Sequence, residues 1–155
     1  MHANRRRQCE AWSETSTPAY CYRFNVRSGD ADYLQGSMHF EEVAFVFNNI
    51  AGQGYHYGKP FEGVPESYEK LSGMMTSMWA AFIHGLDPNF EQDASSSSAS
   101  SSSASSSAVT WEEYSAKDTP VDLLLDANVT SSMEEDTRRK DAIAYINSIP
   151  DVYER

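Results

Sequence analysis

A histidine placed between a loop and an apolar helix is the residue of this 155-residue chain best suited to catalysis. It is His39, in the run Gly36-Ser37-Met38-His39-Phe40-Glu41-Glu42-Val43-Ala44-Phe45-Val46-Phe47. An imidazole accepts and returns a proton near neutral pH, and so serves as a general base. In serine hydrolases such a histidine lies on a loop just past a strand end, where its ring can reach a nucleophile. Its surroundings here follow that order. Among the other candidates, His2, His56 and His84 form no metal set, and no HExxH or paired-histidine spacing occurs. His56 lies in an aromatic loop, Gln53-Gly54-Tyr55-His56-Tyr57-Gly58, which reads as plain surface rather than a substrate entrance. No phosphate-binding or dinucleotide fingerprint is present. The sequence implies no cofactor and no metal.

The elements that must hold His39 can be read around it. Residues 5–16 predict a polar helix anchored by Trp12 and ended by Pro18. Residues 19–26 alternate, with Tyr20, Tyr22, Phe24 and Val26 on one face, and predict a strand. Gly29, Asp30 and Gly36 mark a loop over 28–38, in which Asp30 and Asp32 read as turn residues. Residues 40–49 predict a helix with Phe40, Val43, Ala44 and Phe47 at helical spacing. Residues 50–65 read as a long loop. Residues 66–85 give the strongest period, a stripe of Tyr68, Leu71, Met74, Met75, Met78, Trp79, Phe82 and Ile83. Such a Met and aromatic stripe reads as core packing rather than a ligand groove. Pro65 suits its start, and Gly85 with Pro88 its end.

Residues 94–108 contain only Ala and Ser. They cannot bury enough apolar area to offset their ordering entropy, so they predict a disordered insertion. Beyond them, Trp111 and Tyr114 resume order, Val121 to Leu125 predicts a short strand, and Ser132-Met-Glu-Glu135 has the spacing of a capping box. The helix it would open runs to about Ser148, with Ala142, Ile143, Ile146 and Ile149 as its apolar face. The expected organisation is one domain in three stretches: 1–93, the insertion 94–108, and a closing strand and helix over 109–155.

The strand Tyr20-Cys21-Tyr22-Arg23-Phe24-Asn25, followed by Gly36-x-x-His39-x-x-Glu42-x-x-Phe45-Val46-Phe47, resembles the C-terminal signature of type-B carboxylesterases and lipases, the fungal members above all. Phe61, Trp79-Ala80-x-Phe82, Asp87-Pro88-Asn89 and Trp111-x-x-Tyr114 follow in the family's order. The resemblance covers nearly the whole chain except the Ser/Ala tract. It implies a partial α/β-hydrolase fold, a C-terminal fragment that is mostly helical with two or three strands. It also implies ester hydrolysis, with His39 taking the serine proton and returning it to the leaving alcohol. Glu42 matches the family's acidic position one turn past the histidine, and reads here as a helix-start carboxylate favoured by the macrodipole.

The departures from the family pattern are as informative. No Gly-x-Ser-x-Gly elbow occurs, the oxyanion-hole glycines are absent, and no acid stands at a long interval before His39. A base without a nucleophile forms no acyl-enzyme. The expectation is therefore a C-terminal part of a serine esterase that is inactive alone and takes an ester or lipid substrate only when the upstream half completes it. The alternative is a non-catalytic remnant or interaction module of the same fold. With little sheet to cover them, the helices at 40–49 and 66–85 should leave apolar faces open to self-association.

Composition narrows the partners. A net charge of −11 argues against a nucleic-acid binder, and Arg5, Arg6 and Arg7 read as a solvated helix end. No apolar run is long enough to cross a bilayer, and residues 1–12 lack the apolar core of a signal peptide, whereas members of the family are often secreted. Cys9 and Cys21 favour two buried thiols over one disulfide. Asn128-Val129-Thr130 is a glycosylation sequon that matters only in the secretory pathway.

Overall fold

In the computed structural model the described residues are 2–15, 17–29, 31, 34–56, 58–89, 109–149 and 152. They form α1 (His2–Glu14), β1 (Tyr22–Phe24), α2 (Glu41–Val46), α3 (Glu66–Gly85), β2 (Val121–Leu125), β3 (Ser132–Glu135) and α4 (Lys140–Ser148). The three strands make one sheet in the order β1-β2-β3. β2 and β3 run antiparallel, with Val121 opposite Glu135 and Leu124 opposite Ser132. The chain divides into two compact units. The first draws on Met1–Arg23, Trp111–Leu125 and Ser132–Arg155, the second on Phe24–Thr110 and Asp126–Ser131. The expected Ser/Ala insertion at 94–108 lies outside the described residues.

The first unit is organised by buried charge. Asp136 is 4% exposed. It takes two hydrogen bonds from Arg6, Nε at 2.9 Å and Nη2 at 2.6 Å, and a third from Arg5 Nη2 at 2.7 Å. Arg6 also donates to the carbonyl of Arg138 at 3.0 Å, and Tyr114 Oη lies 3.4 Å from Asp136. A forked guanidinium on a buried carboxylate is the geometry that offsets the desolvation of both ions. Arg6, expected to be solvated, is in fact buried. An acidic partner 130 residues away made the difference, and no local pattern reports it.

The helix α1 presents Ala3, Arg6 and Cys9 inward, while the expected anchor Trp12 is half exposed. Cys9 and Cys21 form a disulfide, overturning the expectation of two thiols. Their sulfurs sit in a small core with Ala19 and Tyr114. The strand predicted over 19–26 shortens to Tyr22–Phe24. Its buried positions before Arg23 are Ala19 and Cys21, whereas the aromatic face, Tyr20 and Tyr22, is half-buried beside the Trp111 ring at 6.1 and 5.9 Å. Trp111 Nε1 donates to the Cys21 carbonyl at 3.1 Å, and Leu123 N–H donates to the same carbonyl at 2.8 Å.

β2 is the buried strand, with Leu123 and Leu125 fully enclosed. The supposed capping box at Ser132–Glu135 is instead β3, its partner. Ladder hydrogen bonds to a buried neighbour outweigh a four-residue capping pattern. α4 then starts at Lys140 after Arg139, which is left-handed at φ 52°. Of its predicted face only Ile143 is buried. α1 and α4 pack together, and Asn147 Nδ2 reaches the Ala3 carbonyl at 3.4 Å.

In the second unit α3 spans the residues expected of it. Pro65 precedes it in extended conformation, and Leu86 closes it in the left-handed region with its N–H on the Phe82 carbonyl at 2.8 Å. Tyr68, Leu71, Ser72, Met75 and Met78 are buried. The stripe fails only in the last turn, where Phe82 and Ile83 are exposed.

Asp122, 1% exposed, illustrates the cost of charge in the first unit. Burial pushes its acid up to about 6, against the pull of Arg5 Nη2 at 3.1 Å, with Asp136 and Glu134 adding repulsion. A folded state that binds this proton more tightly than the unfolded chain, at 3.8, gains stability as pH falls from above 6 toward 4. Asp136 behaves oppositely. Burial opposes its charge, but the hydrogen bonds from Arg6 and Arg5 outweigh that and hold its acid low, so its contribution is lost only below the ordinary carboxylate range. We therefore expect the thermal midpoint to carry a rise between pH 6 and 4 that Asp122→Asn flattens. Melts of both proteins across that window check it, and parallel curves would refute the assignment.

Candidate functional site

The loop that carries His39 begins where β1 ends. Val26 is fully buried after the strand and holds the chain down. Ser28 N–H then donates to Glu41 Oε1 at 3.3 Å, and Gly29 N–H to the Pro60 carbonyl at 2.9 Å. At the far end of the loop, Met38 N–H donates to Glu41 Oε2 at 2.7 Å. One carboxylate thus ties both ends of the loop, an oxygen to each. Glu41 is 9% exposed, so its oxygens find their donors in those backbone amides.

Helix α2 supports this clamp from below. Phe40, at its N-cap, is left-handed at φ 80° and offers no side-chain cap. For a bulky residue that backbone is strained, at a cost on the order of 1 kcal/mol or more. Phe45, one turn past Glu41, is fully buried. Its ring meets Phe24 at 5.1 Å and Phe61 at 5.0 Å edge-on, and Tyr68 at 6.1 Å. Such aromatic pairs add about 0.5–1.5 kcal/mol each beyond their buried area. The C-terminal carbonyls of α2 find donors on α3: Ser72 Oγ reaches the Phe45 carbonyl at 3.0 Å, and Thr76 Oγ1 lies 3.0 and 3.1 Å from the Phe45 and Val46 carbonyls. The short helix is therefore fixed at its start, its centre and its end.

On this fixed base His39 is exposed. Its ring meets the Phe40 ring at 6.2 Å, edge to face, and no hydrogen bond holds it to another described residue. Leu34, Met38, Phe40 and Phe47 are large exposed apolar side chains of the same loop and helix. The arrangement presents a free imidazole on an apolar rim over a rigid support. It can accept a proton from a group brought to it. It does not itself hold a nucleophile.

The remaining sequence candidates fall elsewhere. Glu42, at the family's acidic position, is half-buried and makes no hydrogen bond among the described residues; its neighbour Glu41 does the binding. Asp30 and Asp32 lie outside the described residues. His56 is exposed in its loop, and His2 and His84 sit on α1 and α3. Among the described residues no group of His, Cys, Asp and Glu is placed to hold a metal. The expected stripe of Phe40, Val43, Ala44 and Phe47 is also displaced: Phe40 and Phe47 are exposed, and the inward face is Glu41, Ala44 and Phe45. Glu41 and Phe45 are four residues apart, so a helical face was available to sequence reasoning, but it starts with a charged residue and the apolar count favours the wrong register.

A concavity of about 460 Å³ lies within the first unit between α1 and α4, away from His39 in sequence. Its wall includes His2, Arg5, Arg23 and Arg138 facing Ala142 and Ile146. Burial and the nearby charges of Arg5 and Arg138 hold the His2 imidazolium below its ordinary range.

We expect Glu41→Ala to cost about 1–3 kcal/mol, the price of two amides left without an acceptor. Hydrogen exchange should quicken at Ser28 and Met38 while α3 stays protected. Glu42→Ala should stay within about 0.5 kcal/mol of the parent. Denaturant unfolding with exchange measurements checks the pair, and equal losses for the two would remove the clamp.

The carboxylesterase family model matches residues 1–143. Over 80 residues, 50% of this chain and 16% of the relative, the sequence is 31% identical to a phenmedipham hydrolase of Pseudarthrobacter oxydans. Among solved structures, a thermophilic PNB esterase superposes with TM-score 0.62 at 21% identity, covering 86% of this chain and 23% of its own. A Geobacillus stearothermophilus carboxylesterase does so with TM-score 0.59 at 22% identity, covering 88% of this chain and 24% of its own. At that identity the likeness is one of fold, and the fold is part of an α/β-hydrolase. The chain spans about a quarter or less of the proteins it matches.

Proposed function

The chain belongs to the carboxylesterase family, and we propose that it is the part of a carboxylic-ester hydrolase that supplies the general base, His39, to a serine nucleophile and an acid carried on other segments. The observation that supports this is the exposed imidazole on a loop that follows a strand and is clamped at both ends by Glu41. A general base must be free to meet its partner yet held within hydrogen-bond reach of it. His39 would take the serine proton as the hydroxyl attacks the ester carbonyl. The imidazolium would then protonate the departing alkoxide, and a water would repeat the cycle on the acyl-enzyme. The acid would fix the ring's tautomer from its other nitrogen.

The apolar rim of Leu34, Met38, Phe40 and Phe47 suits contact with the rest of such a domain. In the absence of that portion the same side chains would favour association between copies of the chain.

Hydrolysis of a short-chain chromogenic ester tests the proposal. The chain alone should give no turnover above its His39→Ala variant. Joined to the product of the coding sequence upstream, which should contain a Gly-x-Ser-x-Gly elbow, it should hydrolyse the ester, and His39→Ala should then lower kcat by on the order of 10⁴-fold or more. Turnover by the chain alone that depends on His39 would overturn the incomplete triad. Full activity of the joined enzyme without His39 would overturn the base.

A further inference from the structure

The connection between β2 and β3 is a built turn with an open tip. Asp126, 9% exposed, accepts a hydrogen bond from Asn25 Nδ2 at 2.7 Å on one carboxylate oxygen and from Asn128 N–H at 2.8 Å on the other. Its own N–H donates to Ser131 Oγ at 3.3 Å, and Ser131 is buried. The turn is thus held at Asp126 and Ser131, and the three residues between Ala127 and Ser131 project outward. Asn128 and Thr130 are exposed, as is Val129 at 60%. Those three residues are the sequon Asn-Val-Thr, the only one in the chain. The backbone amide of Asn128 is engaged by Asp126, while its side-chain amide makes no hydrogen bond among the described residues.

A separate observation bears on where the chain folds. Cys9 and Cys21 are 3% and 4% exposed, and their disulfide is part of the core with Ala19 and Tyr114 rather than a surface link. Core disulfides form and persist in oxidising compartments, the endoplasmic reticulum lumen among them, and are rare where glutathione keeps thiols reduced. In eukaryotes that lumen is also where exposed Asn-x-Ser/Thr sites receive glycans.

We propose that Asn128 is a site of N-linked glycosylation, with a lipid-pyrophosphate-linked oligosaccharide as donor. Asn128 Nδ2 bonds to the anomeric carbon of the first sugar as that carbon's bond to the pyrophosphate oxygen breaks. The amide loses one proton, and the lipid pyrophosphate departs. The turn tolerates the product because the glycan leaves from an exposed tip and displaces no core contact. This inference stands apart from the esterase reading, since it uses no residue of the His39 loop.

The test is to direct the full chain into the secretory pathway of a eukaryotic host behind a cleavable leader. The wild type should run above its 17.4 kDa polypeptide mass. Treatment with a peptide-N-glycanase should lower its mass and leave aspartate at position 128 in the peptide map. Asn128→Gln and Thr130→Ala should lose the enzyme-sensitive shift, and Thr130→Ser should keep it. Asn128→Gln should retain the Cys9–Cys21 disulfide and the melting midpoint of the deglycosylated parent, which separates loss of the site from loss of the fold. A disulfide-bonded wild type in the lumen with unmodified asparagine at 128 would overturn the proposal. So would a glycanase-sensitive shift that persists in Asn128→Gln.

Discussion

One buried carboxylate, shared between two backbone amides, ties the loop that carries His39. Glu41 accepts from the backbone N–H of Ser28 and from that of Met38. Its two donors are ten residues apart in the sequence, one at each end of the loop. The side chains around His39 are exposed, so packing from above cannot position the ring. The positioning comes from beneath, through Glu41, then the Phe45 aromatic cluster, then the hydroxyls of Ser72 and Thr76. The left-handed backbone of Phe40 lies between Met38 and Glu41, which are joined by a hydrogen bond. The arrangement leaves the His39 ring exposed above a support that is itself held.

The first unit solves a different problem by similar means. Asp136 gathers Arg5, Arg6 and Tyr114 onto one carboxylate, joining α1 to the end of β3. Here the charges carry no chemistry; they fix which segments meet. The disulfide repeats that work about one turn further along α1, linking the helix to the approach of β1. Each unit thus contains a buried acid that joins segments, Asp136 across 130 residues of chain and Glu41 within a single loop. The requirement is severe, because an acid that loses its donors in such a place is costly to keep ionised.

The parts of this architecture that were legible in the sequence are those decided locally. α3 could be read to its ends, because twenty residues of consistent period, a proline before it and a glycine near its close all agree. β2 was legible as an apolar run, and the His39 segment through its resemblance to carboxylesterases. What escaped was decided by distant partners. Arg6 looked solvated until Asp136 arrived from the other end of the chain. Ser132–Glu135 resembled a helix cap until β2 offered a ladder. The buried face of α2 starts with Glu41, and a reading that counts apolar residues must pass over it in favour of Phe40 and Phe47. Cys9 and Cys21 had no spacing that distinguished a bridge from two thiols; only the return of the chain beside α1 brings them together. The candidate site shares that divide: the His39 segment was legible, and the carboxylate that ties its loop was not.

The interleaving of the two units bears on how the chain acquires its shape as it is made. The second unit is almost continuous, and its helix, loop and aromatic contacts link residues that leave the ribosome close together in time. The first is discontinuous: α1 and β1 are synthesised early, and the strands and helix that complete it follow roughly a hundred residues later. At translation speeds of about 5–20 residues per second, the 130 residues between Arg6 and Asp136 make α1 wait roughly 6 to 26 seconds. During that interval the short span between Cys9 and Cys21 can close on its own, since small loops lose little entropy on closure. The bridge would act as a temporal latch, keeping α1 beside the approach to β1 until its acidic partner emerges.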